Sequence, residues 1–83
     1  HKVKVDGQTI DLTATEYKLL ILFTEKIGRV LSREALLRDI WGYKNDIETR
    51  TVDMHVQRLR NKLLSSQNSI VTVRGFGYKF IAE

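Results

Sequence analysis

Cysteine is missing from all 83 residues of this chain, and several other features are missing with it. Without cysteine the chain has no disulfides and no thiolate metal site, a composition compatible with a reducing cytosol. It also shows no apolar run long enough to span a membrane, no signal-peptide pattern, no internal repeats and no low-complexity tracts. The remaining composition, 42% apolar and 29% charged, is typical of a soluble globular protein. We therefore expect one domain over residues 1–83 that does not interact with membranes.

The groups that enzymes use are missing as well. The chain shows no nucleophile–base pair, no glycine-rich phosphate loop and no carboxylate cluster. His55 is the one histidine away from the terminus, and without cysteine it has no partners for a metal site. The sequence predicts a protein that is not an enzyme and that uses no metal or cofactor.

The positive charge lies in the C-terminal part of the chain. Residues 1–48 carry eight Lys/Arg and eight Asp/Glu, whereas residues 49–83 carry six Lys/Arg and two Asp/Glu, so the net charge of +4 belongs to the second part. A one-sided basic domain indicates a polyanionic partner, although many solvated surfaces are mildly basic. Charge alone leaves both interpretations open.

The first part of the chain predicts a hairpin followed by a helix. Apolar and polar residues alternate on both sides of Asp6-Gly7, which is a hairpin signal. Thr13 and Glu16 have capping-box spacing, and Gly28 is placed as the stop of the helix that they begin. The apolar run over 19–23 predicts that this helix lies in the centre of the domain.

Two more helices and a second hairpin follow. Ser32 is the expected N-cap of a helix that ends at Trp41. The longest helix covers about residues 49–64, and residues 70–73 and 78–81 form the final hairpin. The predicted fold class is therefore α+β, with N-terminal antiparallel strands, a three-helix core and a C-terminal β-hairpin.

The third helix has two contrasting faces when its residues are placed about 100° apart. One stripe is apolar and must face the core: Val52, Val56, Leu59 and Leu63. The opposite face contains no acid: Arg50, Met54, Gln57, Arg58 and Asn61. Solvated faces usually pair Glu with Lys, whereas arginine, amide and apolar side chains are the groups that recognise guanine, adenine and thymine in the major groove. The residues alone leave a solvated face and a DNA-reading face equally open.

Polar residues flank this outer face on both sides. Thr51 and His55 lie on one shoulder near the helix start, where side chains suit phosphate oxygens. Asp53 and Arg60 lie on the other shoulder, at a spacing that permits an ion pair within the helix. For His55 we expect a hydrogen bond to a phosphate or to the backbone.

Four blocks in this order resemble one family: "DLTATEYKLLILF", "GRVLSREALLRDIWGY", "RTVDMHVQRLRNKL" and "VTVRGFGYKF". A helix, a turn, a basic helix and a hairpin with a basic tip form a winged helix-turn-helix. The chain closely resembles the C-terminal winged-helix DNA-binding domain of OmpR/PhoB-type response regulators, over about residues 10–80. The resemblance implies sequence-specific binding of double-stranded DNA in transcription control by a cytoplasmic two-component system.

The resemblance also implies roles for individual residues. Arg58 corresponds to the main base-reading residue of the recognition helix, with Met54, Gln57, Arg50 and Asn61 on the same face. A further set corresponds to phosphate and groove-edge contacts: Arg50 again, Thr51, His55, Arg60, Trp41, Thr72 and Tyr78. A core position for Trp41 is equally open.

The final hairpin corresponds to the wing of this family. Arg74 resembles the arginine that enters the adjacent minor groove, where negative potential is concentrated, and Gly75 lets the backbone approach closely.

The loop over residues 42–48 corresponds to the one through which activators of this family touch RNA polymerase. Its candidate residues are Lys44, Asn45, Asp46 and Glu48, and a merely solvated loop is the alternative. Other implied partners are promoter direct repeats and a sensor histidine kinase, the latter only through a receiver domain that these residues do not contain.

The chain departs from the family pattern at several points. Gln57 stands where many relatives carry a second arginine, and Met54 replaces the commoner valine. Only two of about four N-terminal strands can be recognised, and the chain opens on His1, so we expect a piece of a longer protein. A winged-helix module that binds an acidic protein partner is the alternative function.

Overall fold

An antiparallel hairpin opens the chain in the computed structural model, which describes residues 1–42 and 48–81. Strand β1 (Lys2–Val5) pairs with β2 (Gln8–Asp11). Asp6 and Gly7 have positive φ angles of 50° and 81°, because a tight turn between twisted strands requires that conformation at both positions. The hairpin predicted from Asp6-Gly7 is confirmed.

The capping box begins helix α1 (Ala14–Glu25). The Glu16 amide donates to Thr13 Oγ1 at 3.2 Å, and the Thr13 amide donates to Glu16 Oε1 at 2.9 Å. The helix ends before Gly28, which lies in the following turn with φ 83°. The sequence therefore located the start of α1 correctly, and the helix ends before the predicted stop at Gly28.

Helix α2 (Arg33–Leu36) begins at Ser32, whose Oγ accepts from the Ala35 amide at 3.0 Å. It continues as a wider π-helical turn, Leu37–Trp41, and Gly42 ends it with φ 79°. Ser32 as N-cap and Trp41 as helix end are both confirmed.

Helix α3 (Thr49–Lys62) is the longest element and is followed by a 3₁₀ helix, Leu64–Ser69. It ends two residues before the predicted boundary. The predicted inner stripe is buried along the whole helix: Val52, Val56, Leu59 and Leu63.

A three-stranded antiparallel sheet completes the fold. Strands β4 (Ile70–Val73) and β5 (Gly77–Phe80) form the predicted C-terminal hairpin, and β3 (Leu31–Ser32) adds to the other edge of β5. The sequence did not predict β3, because two residues directly before a helix cap are too few to show alternation.

The core lies between α1, α3 and the three-stranded sheet. Leu19 and Phe23 of α1 have no exposed surface, but Ile21 is 39% exposed. The expectation that α1 is central was wrong for its outer side, which carries the exposed Ile21, although the helix packs against α3 and β5. Helices α2 and α3 form a helix-turn-helix and β4–β5 form its wing, so the predicted α+β winged-helix fold is confirmed.

Candidate nucleic-acid interface

The outer face of α3 carries the side chains that the helical pattern placed there. All five are exposed: Arg50, Met54, Gln57, Arg58 and Asn61. Met54 is 50% exposed in the middle of this face, although apolar side chains normally gain from burial. The inner stripe of α3 anchors the helix on the core, so these five residues lie on a rigid element.

The two amides of this face are bonded to each other. Gln57 Nε2 donates to Asn61 Oδ1 at 3.0 Å, one helical turn away. The carbonyl oxygen of Gln57, the amino group of Asn61 and the second N–H of Gln57 remain available, so the pair can still both accept and donate hydrogen bonds.

The start of α3 is open to solvent. Glu48 is the N-cap residue, with extended backbone angles, and its side chain makes no capping hydrogen bond. Its Oε2 lies 3.5 Å from Arg50 Nε, and both side chains are 74% exposed. An exposed ion pair of this kind contributes little free energy and is readily exchanged for another anion.

Three residues meet on the first shoulder of α3. His55 Nδ1 lies 2.8 Å from the Thr51 carbonyl oxygen, which only accepts, so Nδ1 carries the proton. The Trp41 ring meets the His55 ring edge-on, at 5.1 Å between centroids. Trp41 is half-buried, and its contact with His55 joins the end of the π-helical turn to α3. Of the two hydrogen bonds considered for His55, to a phosphate or to the backbone, the structure shows the one to the backbone.

The second shoulder differs from the prediction. Asp53 does not pair with Arg60; its Oδ1 accepts from Arg33 Nε at 2.8 Å and from the Tyr78 hydroxyl at 2.5 Å. Arg60 instead donates through Nη2 to Thr72 Oγ1 at 3.0 Å. Each group of the expected pair takes a partner from another element, because α2 and the wing both pack against this side of the helix.

Tyr78 lies at the centre of this shoulder and is only 6% exposed. The guanidinium carbons of Arg33 and Arg60 lie 5.5 and 5.7 Å from its ring centroid, within cation–π range. Arg60 Nε is buried and has no hydrogen-bond partner within the described ranges. The Tyr78 hydroxyl is therefore engaged with Asp53 and is not free on the surface.

The pKa values follow from these contacts. Burial raises the pKa of Asp53, but the hydrogen bonds from Tyr78 and Arg33 outweigh it and leave this pKa below its ordinary value. Burial and the hydrogen bond to Asp53 raise the pKa of Tyr78. The bond to Asp53 likewise raises the pKa of Arg33. Asp53 is thus a carboxylate at neutral pH, and Tyr78 is its neutral donor.

The wing tip projects away from the core. Gly75 has φ 83°, and the Phe76 amide donates to the Val73 carbonyl at 3.0 Å to close the turn. Arg74 and Gly75 are exposed as predicted, and Phe76 is 69% exposed. Arg74 makes no ion pair with any residue that the structure describes.

The loop between α2 and α3 lies mostly outside the described residues. Lys44, Asn45 and Asp46 fall in that gap, so of its four candidate residues the structure places only Glu48, at the start of α3. In residues 1–42 and 48–81 no helix is long and apolar enough to cross a membrane. The same residues contain no cluster of three potential metal ligands.

Sequence reasoning missed the part that Arg33 plays. It lies 20 positions from Asp53, in the helix-turn-helix partner of α3, and no local pattern links the two. The link between Arg60 and Thr72 was missed for the same reason, although both residues were candidates.

Comparisons with known proteins assign the chain to a family. A family model described as "Transcriptional regulatory protein, C terminal" matches residues 7–80. The response regulator ArlR of Staphylococcus saprophyticus is 51% identical over 79 residues, which cover 93% of this chain and 36% of ArlR. This chain therefore spans about a third of the length of that relative.

Solved structures of similar sequence share the fold. The DNA-binding domain of Bacillus subtilis CssR has a TM-score of 0.83 and 38% identity, covering 93% of this chain and 88% of that one. The Klebsiella pneumoniae RstA DNA-binding domain, solved in complex with the RstA box, has a TM-score of 0.84 and 32% identity, covering 96% of this chain and 82% of that one. The chain belongs to the transcriptional regulatory protein C-terminal family, the winged-helix DNA-binding domains of OmpR/PhoB-type response regulators.

Proposed function

We propose that this chain binds double-stranded DNA sequence-specifically, as the output domain of a two-component response regulator that controls transcription. The observation that carries the proposal is the exposed, acid-free face of α3: Arg50, Met54, Gln57, Arg58 and Asn61. This face has two cations, two amides and one exposed thioether. Arginine and amide side chains hydrogen-bond to base edges in the major groove, and an apolar side chain packs on a thymine methyl group.

In this proposal α3 lies in the major groove. Arg58 binds O6 and N7 of a guanine with two hydrogen bonds, and Met54 packs on a thymine methyl group. Gln57 and Asn61 contact bases or bridging water once their mutual hydrogen bond is exchanged. Arg50 releases Glu48 to contact DNA at the groove edge.

Both shoulders of α3 then face the phosphate backbone. On the first, the Thr51 hydroxyl and the Trp41 indole N–H are donors to phosphate. His55 Nδ1 is bound to Thr51, so Nε2 is the nitrogen left, and it donates to a phosphate only when the imidazole carries both protons. On the second, Arg60 and Thr72 lie side by side at the junction of helix and wing. Tyr78 is left out of this set, because its buried hydroxyl donates to Asp53.

The wing tip contacts the adjacent minor groove. Arg74 is exposed and free of ion pairs among the described residues, and the turn at Gly75 lets the backbone come close to the groove floor. A narrow minor groove at A·T-rich DNA concentrates negative potential and favours an inserted guanidinium.

The remaining partners concern the whole protein. We propose binding to promoter direct repeats, contact with RNA polymerase through the 42–48 loop, and control by a sensor histidine kinase through a receiver domain outside these residues. Such a protein acts in the cytoplasm.

Selection of binding sites from random duplex DNA at two ionic strengths tests the proposed function. We expect one enriched motif with direct-repeat character, and the Arg58→Ala variant to lose about 1–3 kcal/mol on it with relaxed discrimination at one base pair. Arg29→Ala, which removes an exposed arginine from the turn after α1, is the matched control. Equal weakening of Arg58→Ala on every sequence would contradict base reading.

The wing has its own test. We expect Arg74→Ala to lose affinity only for duplexes with an A·T-rich flank beside the major-groove site, because the guanidinium gains from the narrow groove there. Footprinting of matched duplexes with A·T-rich and G·C-rich flanks measures this difference. An unaltered footprint at the A·T-rich flank would contradict the minor-groove role. If no DNA motif is selected and the chain instead binds a protein in a way that does not depend on salt, the alternative function, binding to an acidic protein partner, is favoured.

A further inference from the structure

We infer that Tyr78 and Asp53 form a joint that fixes the wing relative to α3, which makes them positioning residues for the contact that Arg74 makes with the minor groove. The inference rests on the proposed function and assigns to Tyr78 a role other than phosphate contact. It starts from the single carboxylate of α3, which lies next to Met54 on the helix proposed to read DNA.

One carboxylate oxygen holds three elements together. Asp53 Oδ1 on α3 accepts from Arg33 Nε on α2 at 2.8 Å and from the Tyr78 hydroxyl on β5 at 2.5 Å. Hydrogen bonds to an ionised acceptor are shorter and stronger than neutral ones, and this carboxylate is only partly exposed. The joint therefore sets where β5 crosses the helix.

Strand β4 of the wing is attached to α3 at the same register as β5. Thr72 lies directly opposite Tyr78 in the β4–β5 pairing, and its Oγ1 accepts from Arg60 Nη2 on α3. The guanidinium groups of Arg33 and Arg60 both lie over the Tyr78 ring. Both strands are thus attached to α3 at one register, and the turn at Arg74 begins two residues beyond Thr72.

The wing tip can contact the minor groove precisely only if the hairpin is attached firmly to α3. A two-stranded ribbon is marginally stable by itself, and binding groups must be held to within about 0.5 Å of their working geometry. Beyond the joint the hairpin carries only Val73, the turn and Gly77, so small changes at Tyr78 are transmitted to Arg74.

The joint also explains why an acid is tolerated on a helix that faces a polyanion. Asp53 would repel phosphates if its charge were free. Arg33 supplies a compensating charge, and Tyr78 supplies a second donor to the same oxygen. The carboxylate therefore orders the wing without opposing DNA.

A double-mutant cycle tests the joint on DNA. Tyr78→Phe removes only the hydroxyl, and we expect it to lower affinity for the duplex with the A·T-rich flank by about two- to tenfold, in the lower part of the range of coupled pairs. This loss should vanish in the Arg74→Ala background and persist in the Arg58→Ala background, because only the wing contact depends on the joint. Tyr17→Phe, at a half-buried tyrosine stacked on His1, is the matched control and should leave affinity unchanged.

Additive effects of Tyr78→Phe and Arg74→Ala would overturn the inference. A loss that is equal on all duplexes and follows the unfolded fraction measured by thermal melting would do the same, because it indicates a merely structural tyrosine.

A second measurement separates this inference from the proposed function. The chain has no cysteine, so spin labels attach only at the introduced, exposed sites Asn61→Cys on α3 and Phe76→Cys at the wing tip. Without DNA, we expect one narrow distance distribution that widens in Tyr78→Phe and not in Tyr17→Phe. If the distance distribution is unchanged in Tyr78→Phe, the joint is overturned, whether or not the chain binds DNA. If the wild-type chain selects no duplex, only the proposed function is overturned.

Discussion

Among single residues, Glu16 combines near-complete burial with a formal charge. Its side chain is 2% exposed and accepts from the Thr13 amide and from Lys62 Nζ, the latter at 2.7 Å. Burial raises the pKa of Glu16, but the hydrogen bonds from Lys62 and Thr13 outweigh it and leave this pKa below its ordinary value. One carboxylate thus caps α1 and ties it to the end of α3.

We expect Glu16→Gln to lower the free energy of unfolding at neutral pH by about 1–2 kcal/mol, because it removes the charge from both hydrogen bonds. The folded-state pKa lies below the unfolded one, so the stability that Glu16 contributes is present above about pH 4.3 and is lost as the pH falls through the folded pKa. Urea unfolding at neutral and acidic pH measures both effects.

The exposed Glu34 on α2 provides the control for this prediction. Glu34→Gln should leave the free energy of unfolding almost unchanged at neutral pH. If Glu16→Gln loses as much stability on acidification as the wild-type chain, the ion pair with Lys62 is not the cause.

At the scale of elements, the wing depends on the fit between β5 and β3. Ser32 of β3 lies opposite Gly77 of β5, and a β-carbon at position 77 would overlap the backbone carbonyl oxygen of Leu31. Gly75 is required for a different reason, since its φ of 83° is unfavourable for other residues while its surroundings are open. Two glycines of one hairpin therefore have separate physical roles.

We expect Gly77→Ala to reduce the free energy of unfolding by about 2 kcal/mol or more, because a backbone atom cannot move aside as a side chain does. Gly75→Ala should cost about 1 kcal/mol, since it strains only the turn. Thermal and urea unfolding of both variants give the comparison. Equal losses, or intact hydrogen-exchange protection of Leu31 in Gly77→Ala, would show that β3 tolerates the side chain.

At the scale of the whole molecule, the fold brings the basic C-terminal part together around α3. The contacts of Arg33 and Arg60 with Tyr78 place the wing beside the second shoulder of α3, so two cations lie where the helix meets the wing. Residues 1–48, whose charges cancel, supply the hairpin, α1 and α2 that support this side.

We expect DNA binding to weaken steeply with salt. About four to eight phosphate contacts predict a slope of roughly −4 to −7 in a plot of log affinity against log salt concentration. Fluorescence anisotropy between about 50 and 200 mM salt measures the slope. A scrambled duplex should bind more weakly with a slope of similar size, and a slope near zero on both duplexes would contradict the phosphate contacts.

The sequence by itself determined the two hairpins, the three main helices and the two faces of α3. The hairpin at Asp6-Gly7, the capping box of Thr13 and Glu16, and the buried stripe from Val52 to Leu63 all depend on residues close together in the chain. Turn geometry, cap spacing and helical periodicity are local, so the order of residues suffices to predict them.

Only the tertiary structure decided which partners Asp53, Arg60 and Glu16 take. From the sequence, Asp53 and Arg60 are natural partners on one helix, yet Asp53 binds residues 20 and 25 positions away, and Lys62 reaches Glu16 across 46. Each charge takes the donor or acceptor that packing brings within about 3 Å. That choice depends on how α2, α3 and the wing meet in space, and no local pattern encodes it.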